Sequence, residues 1–324
     1  MAALAPSLAG ADTQPFPTQI VTTDEDGFFG PMQGSANGAA AVFAIDLDSD
    51  GDTDILSAAR TSDQIAWYEN TGGAPPTYVP HVITTNANFA LSVFAIDLNG
   101  DSRIDVLSAS RNDDTIAWYE NLGGTPPTFA EHTITTVADG ANWVTAADID
   151  GDFDIDVVSS SEFDDGVRWY ENSGGLSPTF TTRVISIDPD GPGGGAQGFA
   201  DDAKSVFAID LDGDSDVDVL SASSDNDRIA WYENMGGTPP SFTPHVISDT
   251  ADVAWSVVAA DIDDDGLMDV ISGSSRDDKV AWYRNLGGSP AVFSAPNVIT
   301  IDPDGVVPAS NGVSSVVARD VDGD

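Results

Sequence analysis

The feature that most constrains this chain is a repeat of 51 residues or slightly more. The tetrapeptide Trp-Tyr-Glu-Asn occurs at 67–70, 118–121, 169–172 and 231–234, and Trp-Tyr-Arg-Asn follows at 282–285. Acidic loops open at spacings of 51, 51, 62, 51 and 59 residues, with Asp46, Asp97, Asp148, Asp210, Asp261 and Asp320. Because one repeat unit cannot bury its own apolar faces, the units must stack against one another.

Each unit contains four short apolar runs separated by acidic, glycine-rich or proline-rich turns. In the fourth unit these runs cover 206–210, 218–223, 228–233 and 243–248. They have the length and composition of strands, and no window shows a sustained helical period. Four strands in a unit of this size are typical of a propeller blade. The sequence therefore predicts an all-β fold, a β-propeller of four-stranded blades with five complete repeats and a partial sixth.

The two ends of the chain define the expected domain limits. Residues 1–14 are predicted to be flexible; Ala9-Gly10-Ala11 resembles a signal-peptidase site, so they are either the end of an export signal or a plain alanine-rich start. Residues 15–324 are predicted to form one propeller domain. The run at 16–23 matches the fourth strand of a unit, whereas the sixth unit stops inside its acidic loop. We therefore expect a C-terminally truncated propeller from a parent with six or more blades.

Nine-residue acidic loops join the first and second strands of the five complete units. Positions 1 and 3 are Asp46 and Asp48, Asp97 and Asn99, Asp148 and Asp150, Asp210 and Asp212, and Asp261 and Asp263. Positions 5 and 9 are Asp50 and Asp54, Asp101 and Asp105, Asp152 and Asp156, Asp214 and Asp218, and Asp265 and Asp269. Position 7 varies, as Asp52, Arg103, Asp154, Asp216 and Leu267. Because arginine and leucine occur there, position 7 can contribute only its backbone carbonyl to a ligand shell.

Alternating oxygen ligands of this kind are typical of a Ca²⁺ site. Six to eight oxygens suit Ca²⁺, and the loops lack the cysteine and histidine that zinc and copper prefer. The alternative is a solvated acidic turn, but five loops that keep the same four positions argue against it. The formal charge of −43 also calls for counter-cations, because like charges repel one another in a compact chain. We therefore predict about five Ca²⁺ sites, one in each complete repeat.

The loop Asp-Leu-Asp-Gly-Asp-Ser-Asp-Val-Asp at 210–218, between Val-Phe-Ala-Ile and Val-Leu-Ser-Ala, resembles the FG-GAP/VCBS repeat family. These calcium-loop repeats also occur in integrin α subunits. The resemblance covers nearly all of residues 15–324 and implies a β-propeller, Ca²⁺ in the acidic loops, and extracellular adhesion or recognition. Loop two departs from the pattern at Asn99 and Arg103 and is predicted to be the weakest complete site. Loop six ends before position 9, so its site is incomplete.

Aromatic and histidine side chains offer further candidate sites. The repeated tryptophans could form a ring of sugar platforms, but blade-to-blade packing is favoured because every unit contains one; they are Trp67, Trp118, Trp169, Trp231 and Trp282. Trp143 and Trp255 precede the first strand in only two units and are better ligand candidates. His81, His132 and His245 lie on separate blades and cannot form one catalytic centre.

Composition narrows the classes of function. The large negative charge argues against nucleic-acid and anionic-membrane partners, no apolar stretch has the length of a membrane span, and without cysteine there is no disulfide. The favoured hypothesis is a non-enzymatic adhesion or recognition module, secreted or at the cell surface, for an extracellular protein or glycan. It would be part of a larger chain. The alternatives are a carbohydrate-active enzyme, such as a polysaccharide lyase, and a purely structural fragment of a surface protein.

Overall fold

The computed structural model describes residues 36–187, 198–300 and 312–318. All the regular secondary-structure elements within these residues are β-strands. Blade one contains β1 (Ala39–Ile45), β2 (Asp54–Ala59), β3 (Gln64–Asn70) and β4 (Tyr78–Thr84). Blade two contains β5 (Ala90–Ile96), β6 (Asp105–Ser110), β7 (Thr115–Gly124) and β8 (Pro127–Thr135). Blade three contains β9 (Ala141–Ala147), β10 (Asp156–Ser161), β11 (Gly166–Asn172) and β12 (Phe180–Ile187).

The last two described blades follow the same plan. Blade four contains β13 (Ala203–Ile209), β14 (Asp218–Ser223), β15 (Arg228–Gly237) and β16 (Pro240–Ser248). Blade five contains β17 (Ala254–Ala260), β18 (Asp269–Ser274), β19 (Lys279–Tyr283) and β20 (Asn297–Thr300). Each blade is a four-stranded antiparallel sheet whose strands pair in chain order. The predicted fold class, an all-β propeller of four-stranded blades, is confirmed.

The hydrophobic core lies between blades rather than within them. Trp67 and Leu56 of blade one pack with Val93 and Tyr119 of blade two, and the next three interfaces repeat this arrangement. The tryptophan side of one blade therefore meets the tyrosine side of the next. Four repeated tryptophans are at most 2% exposed, as Trp67, Trp118, Trp169 and Trp231. This burial supports the packing interpretation and leaves no open face for a sugar.

The segment 312–318 lies where the first strand of a sixth blade would be placed. The backbone N–H of Val316 donates to Ser256 Oγ at 3.1 Å, as Val257 does to Ser205 Oγ at 3.0 Å one blade earlier. At the other end, Val42 is 69% exposed, whereas its repeat equivalent Val93 is 5% exposed. The outer side of blade one is therefore not covered by any described residue. The predicted fourth strand at 16–23, the sixth acidic loop and most of the three long insertions lie outside the described residues.

A second set of aspartates joins consecutive blades at the face opposite the acidic loops. In the turn between the second and third strands, Asp114 Oδ1 accepts the backbone N–H of Gly140 at 2.9 Å, just before the next blade begins. The same bond recurs from Asp227 to Val253 at 2.8 Å. Each of these aspartates has a positive φ, and so do Gly140 and Val253. The start of a first strand is thus held by the preceding blade.

Gly140 also packs closely within blade three, against Phe163 in the turn between β10 and β11. Its φ is +69°, and a Cβ there would lie 2.8 Å from the Phe163 ring and 3.1 Å from the Phe163 backbone nitrogen. Gly151 has a similar φ of +76° but nothing within 4 Å of an added Cβ. We expect Gly140→Ala to lower the free energy of unfolding by roughly 2–3 kcal/mol, from left-handed backbone strain plus overpacking. Gly151→Ala, which carries only the backbone strain, should cost about 1 kcal/mol. Equal losses in urea melts would contradict the steric contact.

Candidate metal centres

Position 9 of each acidic loop anchors the loop to its blade. Asp156 Oδ2 accepts the backbone N–H of Ile149 at 3.0 Å, and its Oδ1 accepts that of Asn172 at 2.7 Å. The other four blades show the same pair of bonds, with 2.7 Å to the asparagine of the third strand in every case. These aspartates are at most 1% exposed. A single buried carboxylate therefore closes each hairpin, and in loops three and four it also joins the converging carboxylates of the candidate site, as Asp156 and Asp218.

Positions 1, 3 and 5 form the rim of the loop. Asp46 accepts the backbone N–H groups of Asp50 at 3.1 Å and of Gly51 at 3.0 Å. Asp48 Oδ1 accepts the N–H of Asp50 at 3.2 Å, and Asp50 Oδ1 accepts that of Asp52 at 2.8 Å. These bonds curl the backbone around the side chains, so several carboxylates of one loop turn toward one point.

The carboxylates of four loops converge closely enough to share one cation. Within each of these loops, three carboxylate oxygens lie within 4.8 Å of one another. The groups are Asp46, Asp48 and Asp50; Asp148, Asp150 and Asp156; Asp210, Asp212 and Asp218; and Asp261, Asp263 and Asp265. Hard oxygen donors at this spacing fit a divalent cation such as Ca²⁺. Loop two is not among the groups found in the described part of the chain.

Burial makes three of the position 9 carboxylates costly to ionise. The pKa of Asp105 is raised to about 6 and that of Asp156 and Asp218 to about 7, chiefly by desolvation, although backbone hydrogen bonds oppose the rise. Neighbouring carboxylates in the loop contribute to the raised pKa of Asp156 and Asp218. A bound cation would favour the charged form and reverse these shifts. The chemistry of the donor set therefore fits a metal ion.

Position 7 side chains point away from the loop, toward the paired glycines that follow the third strand. A Cβ atom on Gly72 would lie 3.1 Å from Asp52 Oδ2, and one on Gly174 would overlap the Asp154 carboxylate. Both glycines have a positive φ. Arg103 and Leu267 approach the equivalent glycines in loops two and five. Because these side chains point toward the glycines, position 7 could offer only its backbone carbonyl to a cation, as predicted. The assignment of individual ligands stays a prediction.

Loop two contains its own cation. The guanidinium of Arg103 forms an ion pair with Asp101 at position 5, and its Nε donates to the backbone carbonyl of Asn121 at 2.6 Å. The amide of Asn99 also donates to Asp101, at 3.4 Å. A positive side chain therefore already pairs with one of the carboxylates that a metal would need, which is consistent with the predicted weakness of this site.

Loop five is also paired with a cationic side chain, Arg284 just after the third strand, which the sequence pattern alone did not indicate. Arg284 pairs with Asp263 at 2.6 Å and with Asp265 at 3.0 Å, bridging positions 3 and 5. In the other blades this repeat position is a glutamate that pairs across the sheet, as Glu69 does with His81 at 2.8 Å. The signal was available, because Trp-Tyr-Arg-Asn is the single departure from Trp-Tyr-Glu-Asn. Only the structure shows that this arginine, which directly follows β19, lies close enough to loop five to pair with its carboxylates.

The histidines have structural partners on their own blades. His81, His132 and His245 each pair with the glutamate opposite, at 2.7–3.0 Å. Each ring also stacks on the repeated tryptophan of its blade, with centroids 4.5–4.7 Å apart. The three histidines lie on different sheets, as the repeat predicted.

Comparisons with known proteins identify the repeat. A sequence model described as an FG-GAP-like repeat matches residues 46–108, 97–159, 210–272 and 261–324. No curated protein sequence matches the chain. Among the residues described, no helix has the length and hydropathy to cross a membrane.

Two solved structures are similar at low identity. The V. cholerae biofilm matrix protein Bap1 is 17% identical, with 82% of this chain and 40% of that chain covered and a TM-score of 0.46. A functionally unknown protein from Desulfotomaculum acetoxidans is 13% identical, with 80% and 70% covered and a TM-score of 0.49. The chain thus spans less than half the length of Bap1, and neither likeness bears on function.

Proposed function

This chain belongs to the FG-GAP-like repeat family, and we propose that it is a Ca²⁺-binding propeller, secreted or at the cell surface, that recognises an extracellular protein or glycan. The observation that carries the proposal is the convergence of three carboxylate oxygens within 4.8 Å in repeated loops. Sites built from flexible oxygen ligands in extracellular modules are filled at millimolar Ca²⁺. That concentration range is found outside cells, which supports the extracellular assignment.

The strongest Ca²⁺ sites are expected in loops one, three and four. There the residues of positions 1, 3, 5 and 9 are all aspartate, and no arginine of the described residues pairs with them. Positions 1, 3, 5 and 9 would supply side-chain oxygens, position 7 a carbonyl, and water the remainder. A bound ion would join the two ends of each β-hairpin loop and neutralise its carboxylates.

Calorimetric titration should count about three sites of similar affinity, because guanidinium groups compete with Ca²⁺ in loops two and five. Arg284→Glu restores the residue that the other blades carry and should add one site. Arg276→Glu makes the same charge change at an exposed residue outside the loops, paired with Asp252, and should leave the count unchanged. Five equal sites in the natural chain, or no gain in Arg284→Glu, would show that the guanidinium does not block the loop.

Recognition is tested by binding to glycan and extracellular-protein arrays, with Ca²⁺ and with EDTA. We expect a ligand whose binding is lost when Ca²⁺ is removed, because the loop carbonyls of Leu98, Ile149 and Leu211 each accept a hydrogen bond from an asparagine of the next blade. A chain carrying Asp→Asn changes at position 5 of loops one, three and four should lose the same ligand. Binding that is identical in EDTA would separate recognition from the calcium sites and contradict this function.

A further inference from the structure

A cavity of about 540 Å³ opens on the propeller axis, at the face opposite the acidic loops. First strands from all five blades contribute to its wall, and the segment 312–318 adds Ser314 and Ser315. The residues that directly follow second strands also contribute, including Arg111 and Glu162. Cavities of this size accept a small-molecule ligand of one or two rings.

Among the described residues, the wall of this cavity carries more positive than negative side chains. Three of the eleven Lys and Arg residues line it, Arg60, Arg111 and Lys204, whereas Glu162 is the one acidic residue of the described part of the chain that does so. In a protein with a net charge of −43, a lining with an excess of cations needs an explanation. It is the composition expected of a site for an anionic group.

The cations are held in place by a polar network from three blades. Glu162 Oε1 accepts from Arg111 at 2.8 Å and from Lys204 at 3.1 Å, and Asn142 donates to Glu162 Oε2 at 3.2 Å. Lys204 is 6% exposed and also pairs with Asp202 at 2.6 Å. The Arg111 side chain is 27% exposed and is held in place by Glu162. A preorganised guanidinium whose terminal nitrogens reach the cavity is suited to bind a ligand carboxylate.

Aromatic rings flank these cations. The Lys204 ammonium lies 5.1 Å from the centroid of the Trp255 ring, and Arg111 lies 5.7 Å from that of Phe89. Trp143 also lines the cavity, and Trp255 remains 37% exposed. Indole faces provide flat apolar surfaces on which a ring can stack. Both tryptophans interrupt the repeat, and both lie within the first strands β9 and β17, not before them as predicted. Trp143 also packs against the core between blades three and four, whereas Trp255 is exposed at the cavity.

We propose that this cavity binds a carboxylated sugar ring, as in the uronic acid residues of acidic polysaccharides. Arg111 and Arg60 would bind the carboxylate, Trp143 and Trp255 would stack on the ring, and Asn142 would bond to a hydroxyl. The proposal deepens the recognition function given above and rests on it. A neutral sugar would leave the charge excess unmatched, and a simple anion would leave the tryptophans unused.

The test is titration of the calcium-loaded protein with digalacturonate, followed by tryptophan fluorescence and calorimetry. We expect saturable binding at one site, with affinity reduced at least about tenfold in Trp255→Ala and in Arg60→Gln, each of which removes one contact. Both residues are exposed, so the variants should fold, as circular dichroism would check. Arg276→Gln, a matched change outside the cavity, should bind normally.

Neutral cellobiose and free acetate serve as competing probes. Neither should displace digalacturonate at tenfold excess, because each offers only half of the recognised chemistry. Equal binding of cellobiose or acetate, no digalacturonate binding, or unchanged affinity in Trp255→Ala would overturn the proposal. The ligand found by the glycan and protein arrays is also titrated into Trp255→Ala and Arg60→Gln. If both variants still bind that ligand, the cavity is not the recognition site, while the recognition function stands.

Discussion

Removal of Ca²⁺ should lower the midpoint of thermal unfolding of this protein by more than about 10 °C, or unfold it outright. A site with a Kd of ~0.1 mM, held at ~10 mM Ca²⁺, stabilises the folded chain by roughly 2.7 kcal/mol. Loops one, three and four together would then contribute about 8 kcal/mol. That is comparable with the total stability of many domains, ~5–15 kcal/mol.

The measurement compares thermal melts in EDTA and in 10 mM Ca²⁺ at matched ionic strength, followed by far-UV circular dichroism. Mg²⁺ at the same concentration should restore little of the loss, because it demands a smaller and near-octahedral shell. Superimposed melts would show that the loops do not couple cation binding to folding. Full rescue by Mg²⁺ or Na⁺ would show that general charge screening, not a coordinated ion, stabilises the chain.

The second large effect is expected at position 9 of loop two, where Asp105→Asn should lower the free energy of unfolding by roughly 3–4 kcal/mol. Asp105 is fully buried, and its two oxygens accept the backbone N–H groups of Leu98 at 3.2 Å and Asn121 at 2.7 Å. An asparagine keeps one acceptor and turns an NH₂ group toward the other donor. Two donors then face each other without a partner in a buried site.

Loop two suits this comparison because Arg103 already pairs with Asp101 there, so Ca²⁺ should affect the stability of this loop least. Asp101→Asn, in the same loop, replaces a carboxylate that is 9% exposed and pairs with Arg103, whose own side chain is 43% exposed, and it keeps an oxygen for the backbone N–H of Arg103. It should cost about 1–2 kcal/mol, less than Asp105→Asn, because no backbone donor is left without an acceptor. Urea unfolding in saturating Ca²⁺ compares the two variants. A similar loss for both would mean that position 9 contributes as a charge rather than as a buried hydrogen-bond acceptor.

The fold and most of the candidate sites were predictable because the chain repeats. Five versions of one loop separate the positions that need a carboxylate from position 7, where Arg103 and Leu267 replace aspartate. The same comparison located the strands, since apolar runs recur at fixed offsets from each loop. Trp143 and Trp255 could be singled out for the opposite reason, because they break the repeat.

What the repeat could not reveal depends on residues that are close only in space. Arg284 is 19 residues from Asp265 and would look like a surface substitution without the hairpin that places it against loop five. The dual role of position 9 was also hidden, because its hydrogen bonds reach the third strand, 16 residues away.

Local sequence thus determined the blades and the acidic loops of this protein, because strand pairing and loop closure act over a few tens of residues within each unit. Tertiary structure decided two things. The packing of each hairpin places a guanidinium group against the carboxylates of loops two and five. The stacking of blades brings Arg111, Glu162 and Lys204 together around one cavity. The physical reason is that charge pairing follows distance in space, and only the ring arrangement of blades brings side chains from separate repeats to one axis.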